Sequence, residues 1–409
     1  MRQELYMERI DELREFALKE MNNNILPFWS REVIDSINGG FTGAIDQDGN
    51  AMAGSPKGLI MNARILWTFS AVYNFNREPE YLELATRAYN FIEDYFADHE
   101  YGGYYWKVDA TGGAPDTKKQ TYAQAFVIYA FSEYFKACGS EEVLQNAQRL
   151  FEVVEKHCVD RVYGGYFEAF SREWQFIEDN RLSDKDMNEK KTMNTHLHVL
   201  EAYTSLLQVW ENDAVREQLR ELIEIFAGKI ADSENFHLKL FFDEKWQSKS
   251  GMISYGHDIE SAWLINEAAM VLGDNALLRR SEELCCSMAE AVVPGINGEG
   301  GLAHEVDSDG SGDGELEWWA QAEAVVGFLN AFRISGNSEF LDIAVGVKRF
   351  TEKYFIDHSN GEWFYRLDKN GTPLPGFDKA GFWKCPYHNI RMCLEILKFN
   401  MSGLPASDK

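Results

Sequence analysis

Histidine is the side chain best suited to moving protons near neutral pH. Three histidines in this 409-residue chain sit where apolar helices should begin. His257 lies in SYGHDIESAWL (254–264), His388 in WKCPYHNIRM (383–392), and His198 in KTMNTHLHVLEAYTSLLQVW (191–210). A histidine near a helix N-terminus feels the positive end of the dipole, which disfavours the imidazolium. Neutral at pH 7, it can accept a proton. Three of them converging on one rim predict acid–base chemistry rather than charge stabilisation.

Spacing sorts these histidines further. On a helix, side chains two apart point about 200° apart. His196 and His198 therefore cannot share a metal, although HxH would do so on a strand. His198 shares its face with Asn194, whereas His196 shares its face with Leu200 and Tyr203 and is predicted to pack. His257 lies three residues before Glu260, so these two share a face. Such an HxxE pair suits a metal, or a base beside a group that orients a substrate; the neighbouring Asp258 points elsewhere. His388 follows Pro386, which suits a first helical turn.

The surrounding residues fit a sugar. Trp318, Trp319, Trp383 and Tyr122 offer flat apolar faces for the C–H side of a pyranose, with one of Trp318 and Trp319 expected to fill the interior. Arg64, inside the apolar stretch NARILW (62–67), needs a partner or a ligand. The expected ligand is an oxygen on which negative charge develops. Glu323 is either its partner or an acceptor for hydroxyls. His99, His157, His237, His304 and His358 fall on outer helices or hairpins and read as surface or packing residues.

A repeat positions these residues. Gly- and aromatic-rich stretches such as YGGYYWKVDATGG (101–113) and YGGYFEAFSREW (163–174) read as small β-hairpins. They recur with a period of roughly 60 residues, the signature of a repeat architecture. Between hairpins there is room for two helices. One type, such as 118–139, is apolar nearly all round and should lie inside. The other, such as 140–158, is amphipathic and should lie outside, with Ser140 as its N-cap. Inner helices are predicted to start near 57, 119, 192, 253, 316 and 386. Outer helices are predicted near 3–22, 79–97, 140–158, 213–231, 274–292 and 337–355. Six helical hairpins close into an all-α (α/α)6 barrel, with short β-hairpins on one rim and one domain over 1–409. The polar insertion at 171–190 is expected to cover one rim.

Composition narrows the partners. The chain is 45% hydrophobic and carries a net charge of −26. That charge repels nucleic acid and anionic membranes, and a neutral small molecule is compatible with it. No stretch approaches the roughly 18 apolar residues of a membrane span. The charged start MRQELYMERIDELREF predicts no signal peptide. Six cysteines without CxxC spacing suit a reducing cytoplasm. Closure into a barrel predicts a monomer.

Several segments resemble the N-acylglucosamine 2-epimerase superfamily, and within it the branch that epimerises cellobiose. They are NARILW (62–67), KTMNTHLHVLEAYT (191–204), SYGHDIE (254–260), WWAQAEAVVGF (318–328) and WKCPYHNIRMCLEI (383–396). The resemblance implies an (α/α)6 barrel that works without metal or other cofactor. It implies conversion of the reducing-end glucose of β-1,4-linked disaccharides, such as cellobiose and lactose, to mannose. By position, His257 and His388 resemble the two acid–base residues at C2, and His198 the residue that helps ring opening and closure. Arg64 resembles the arginine that holds the enediolate oxygens. Tyr122, Asn194, Glu260, Trp319, Glu323 and Trp383 resemble sugar contacts, with Trp383 as platform for the second sugar.

Rival chemistries remain at this level. An inverting glycosidase would need a carboxylic acid and a base about 6.5–9.5 Å apart, and Glu260 with Glu323 is the pair to nominate. An aldose–ketose isomerase acting on mannose, or an N-acylglucosamine 2-epimerase, would use nearly the same parts. A non-catalytic sugar-binding protein would explain the tryptophans but not the three histidines.

Overall fold

A helix that is apolar on all sides is stable only when other helices surround it. Five helices of this kind, α2 (Leu59–Asn76), α4 (Thr121–Cys138), α6 (Met193–Val209), α8 (Tyr255–Leu272) and α10 (Trp318–Ser335), form the inner ring with the shorter, more polar α12 (Tyr387–Lys398). Six more form the outer ring: α1 (Arg2–Glu20), α3 (Pro79–Phe91), α5 (Glu141–His157), α7 (Asp213–Ile225), α9 (Asn275–Val292) and α11 (Ser338–Tyr354). The computed structural model describes residues 2–307 and 309–401, with side chains from residue 4 onward. Residues 402–409 of the tail lie outside the described residues.

Each inner helix packs on the next, and α12 returns to α2, so the ring closes. Outer helices α3, α5, α7, α9 and α11 each cover the inner helix before them in the chain, while α1 covers α12. The chain's first helix is thus the outer partner of its last. The architecture is an (α/α)6 barrel. Helix α3 continues into a π-helical turn over Ile92–Phe96, and α7 into one over Phe226–Ile230. Among the described residues, no helix is long and apolar enough to cross a membrane.

Helix ends follow local chemistry. Helices α4, α8 and α10 stop at Gly139, Gly273 and Gly336, whose φ values of 66°, 70° and 69° are left-handed. Glycine reaches that region without a Cβ clash. Asn212, Asp274 and Asn337 cap outer helices through side-chain bonds. Ser140 occupies the N-cap position of α5, but its hydroxyl makes no capping bond.

The hairpins do more than the repeat predicts. Each begins as expected, with Ala97 bridging Tyr104 and Val159 bridging Tyr166. Pairing then continues into a neighbouring repeat. Lys107–Val108 pairs antiparallel with Lys57–Gly58, Ala169–Phe170 with Lys119–Gln120, and Phe241–Phe242 with Lys191–Thr192. Glu305–Val306 pairs with Ile253–Ser254, and Arg366–Leu367 with Leu316–Glu317. A two-residue hairpin arm is too short to hold alone, so each borrows the segment that leads into an inner helix. The carbonyls of Trp106, Glu168, Leu240 and Tyr365 accept the N–H of Leu59, Thr121, Met193 and Trp318. These are the first residues of α2, α4, α6 and α10, whose N–H groups lack intrahelical partners.

Buried lysines lock the same rim. Lys57, Lys119, Lys191 and Lys379 pair with Asp35, Asp98, Asp160 and Asp357 at 2.8, 3.0, 2.7 and 2.6 Å. Each ammonium also donates to a glycine carbonyl of the hairpin, that of Gly39, Gly102, Gly164 or Gly361. A buried ion pair is tolerated only with such extra bonds. Together with the strand pairs they form a collar around the inner-helix N-termini.

Candidate active site

The collar surrounds a cavity of about 770 Å³. Its wall contains Arg64 from α2, Tyr122 from α4, Asn194 and His198 from α6, and His257 and Glu260 from α8. Trp318 and Trp319 from α10, Trp383, and His388 from α12 also line it. Nine of the ten site residues predicted from sequence thus face one space. Glu323 is the exception. It lies behind His388, fully buried, and does not line the cavity.

All three histidines present the same nitrogen. Nδ1 of His198 lies 2.9 Å from Glu201 Oε2, Nδ1 of His388 2.7 Å from Glu323 Oε1, and Nδ1 of His257 2.8 Å from Ser254 Oγ. Among the described residues, none bonds Nε2 of these rings, and all three rings line the cavity. Burial is the main cause that depresses all three: His388 falls to about 3, His257 falls well below its usual range, and His198 falls too. Sequence reasoning assigned their neutrality to the helix dipole, but desolvation is the larger effect. The indole of Trp319 packs against two of them, 4.7 Å from the His257 ring and 5.6 Å from that of His388.

Among the described residues, no carboxylate pairs with Arg64. It donates to Tyr122 Oη at 2.7 Å and lies over the Phe126 ring at 4.3 Å. Weaker contacts reach the Trp383 carbonyl and Cys385 Sγ, while its Nε has no partner. The Arg64–Glu323 pairing raised by the sequence does not form. Glu323 is held by a nearer guanidinium, that of Arg391, at 2.6 Å. A buried guanidinium without an anion is a binding site for developing negative charge. Asn194 adds a buried Oδ1 with no partner on the same wall.

Glu260 and Glu323 are also not a glycosidase pair. Their Oε1 atoms both accept from Arg391 Nη2, at 2.7 and 2.6 Å, leaving no room for an attacking water between them. Glu260, Glu323 and His388 do offer three ligand atoms within 4.8 Å of one another. Arg391 already brings to these oxygens the positive charge a cation would supply. Burial and the Glu323 charge raise Glu260 toward its protonated form. Burial alone would raise Glu323 as well, but Arg391 and His388 overcome it and keep Glu323 ionised.

His196 is packing, as its helical face predicts. Its Nε2 accepts the N–H of Tyr166 at 2.9 Å and its Nδ1 donates to the Thr192 carbonyl at 2.7 Å. Burial pulls it down to about 3. The unfolded chain binds this proton below about pH 6.5 and the folded chain refuses it, so the site costs stability as pH falls from 6.5 toward 3. His196→Gln should remove about 2 kcal/mol of the stability difference between pH 7 and pH 5. Urea denaturation of both proteins at the two pH values checks this.

The structure adds residues that the sequence reading passed over. Asp258 turns away from the cavity, as expected, but it holds His237 at 2.7 Å, which is therefore a partnered residue. His304 lines the cavity against Trp319 and Glu317, and is not surface filler. The signal was register: with Glu305 opposite Ser254, His304 occupies the hairpin position held elsewhere by Trp106, Glu168, Leu240 and Tyr365. The insertion covers the rim as predicted, with Asn180–Met187 and Glu189 forming one side of the mouth.

Comparison with known proteins adds an independent line. Residues 39–391 match the model of the family described as N-acylglucosamine 2-epimerase (GlcNAc 2-epimerase). A cellobiose 2-epimerase from Bacteroides fragilis is 47% identical over 94% of this chain and 98% of that protein. One from Dictyoglomus turgidum is 39% identical over 94% of this chain and 98% of that protein. The structure of cellobiose 2-epimerase from Bacillus thermoamylovorans B4167 superposes with a TM-score of 0.89 at 37% identity, covering 95% of this chain and 99% of the other.

Proposed function

The chain belongs to the N-acylglucosamine 2-epimerase family, and from that premise we propose that it epimerises the reducing-end glucose of β-1,4-linked disaccharides at C2. It is a carbohydrate epimerase, an isomerase. The observation that carries the reading is the arrangement of three neutral histidines, each with Nε2 free, around a buried arginine that has no carboxylate.

The C2 proton of an aldose is acidic only when C1 is an open-chain carbonyl. His198 moves the protons between O1 and O5 that open and close the pyranose. One of His257 and His388 takes the C2 proton at Nε2, and the charge spreads onto O1 beside Arg64. The other returns a proton to the opposite face, for which it must carry one at Nε2. Glu323 on Nδ1 of His388 favours that charged state during turnover. Tyr122, Asn194, Glu260 and Trp319 hold the reacting sugar, and Trp383 offers a face to the second. No step requires a cofactor. Six unpaired cysteines suit a reducing cytoplasm, and the chain acts there as a monomer, which light scattering should report as a mass near 46.9 kDa.

Proton and carbon NMR of cellobiose incubated with the protein in D2O tests the reaction. Glucosyl-mannose with deuterium at C2 is the expected product. A ketose would make the chain an aldose–ketose isomerase, and free glucose would make it a glycosidase. Either outcome overturns the reading.

A further inference from the structure

Two of the three cavity histidines rest on buried carboxylates, and both carboxylates meet at one guanidinium. Arg391 Nη1 donates to Glu201 Oε1, while Nη2 donates to Glu323 Oε1 and Glu260 Oε1. The Tyr387 hydroxyl also donates to Glu201. Glu201 in turn holds His198 and Glu323 holds His388. His257 stands outside this network, on the Ser254 hydroxyl. Arg391, Glu201 and Glu323 are each at most 2% exposed and none lines the cavity.

We propose that Arg391 is a positioning residue that fixes His198 and His388 in one tautomer through Glu201 and Glu323, so that ring opening and C2 proton transfer depend on a single buried network. The inference rests on the function proposed above. A carboxylate accepts from Nδ1–H and so keeps the lone pair on Nε2. A buried carboxylate stays ionised only beside a cation. Without the guanidinium, Glu201 and Glu323 would take up protons and donate to Nδ1. The ring hydrogen would then move to Nε2, where it blocks proton abstraction. One Nη nitrogen serves each histidine's carboxylate, a fork that lysine lacks.

The test uses Glu201→Gln and Glu323→Gln, which keep volume and packing while offering an amide N–H to Nδ1, together with Arg391→Lys. The readout is the primary isotope effect on kcat with cellobiose deuterated at C2 of the reducing-end glucose. Glu201→Gln should lower kcat about 100-fold and drive the isotope effect toward unity, because ring opening becomes limiting. Glu323→Gln should lower kcat about as much and raise the isotope effect, because C2 transfer becomes limiting. Arg391→Lys should lower kcat at least ~10-fold with KM within about threefold, the mark of an interaction made in the transition state. A purely structural role would lower melting temperature and leave isotope effects unchanged. Isotope effects that do not diverge, or full kcat in Arg391→Lys, overturn the inference while wild-type epimerisation stands. A wild-type chain without C2 exchange overturns the function and the inference together.

Discussion

Replacing His388 with alanine should lower kcat for cellobiose epimerisation about 10⁴-fold, the upper range for losing a positioned acid–base group. Its two titratable partners in the proposed reaction are engaged elsewhere. Glu260 lies 3.8 Å from the far nitrogen of that imidazole and is already bound to Arg391. His257 is held at Nδ1 by the Ser254 hydroxyl and packs against the Trp319 indole. The fold should survive the change. Glu323 keeps bonds from Arg391 and from Trp263 Nε1 at 2.9 Å. The start of α12 stays anchored by Asn389, whose amide reaches both oxygens of Glu362. His257→Ala should be equally damaging, since inversion at C2 needs a proton donor on the face opposite the base. Initial rates and C2 deuterium exchange, with circular dichroism as the control for folding, check both variants. A folded His388→Ala chain that keeps more than a few per cent of activity sinks its assignment. The same result for His257→Ala would mean one base, with rotation of the enediolate about C2–C3.

The barrel was legible because its signals are local. Apolar-all-round segments alternate with amphipathic ones, and Gly-aromatic stretches mark each return to the rim, so the inner-helix starts fall within about two residues of their predicted places. The site histidines were legible for the same reason, since each interrupts an apolar helix near its first turns. What sequence could not supply was pairing between repeats. Arg391 sits inside WKCPYHNIRMCLEI (383–396), which resembles the family, yet nothing local marks it as the hub for Glu201, 190 residues away, and Glu323, 68 residues away. Glu323 was assigned to Arg64 or to sugar because charge counting cannot choose between two arginines. Distance decides it, and the closer guanidinium wins. His304 was lost because hairpin register, which turns alternate side chains inward, depends on a partner strand from the neighbouring repeat.

Arg64→Met should separate activity from stability. In the folded chain this guanidinium is buried, touches aromatic faces and Tyr122, and neutralises no carboxylate. Burying a charge without an opposite partner costs folding free energy, and an apolar residue of similar volume avoids that cost. Stability should therefore hold or rise, by about 1 kcal/mol. Turnover should move the other way. If the negative charge of the enediolate settles beside Arg64, its loss should lower kcat about 10²–10³-fold, as for removal of one donor from an oxyanion site. KM should change little, because the open-chain aldehyde carries no charge until C2 is deprotonated. Tyr122, held in place by Phe126 and His198 as well as by Arg64, should keep its position. Urea midpoints and steady-state kinetics on one preparation decide the matter. Parallel losses in stability and kcat would make Arg64 a structural residue. Retained kcat would place the enediolate oxygens elsewhere in the cavity, where Asn194 and Glu260 are among the polar groups on its wall.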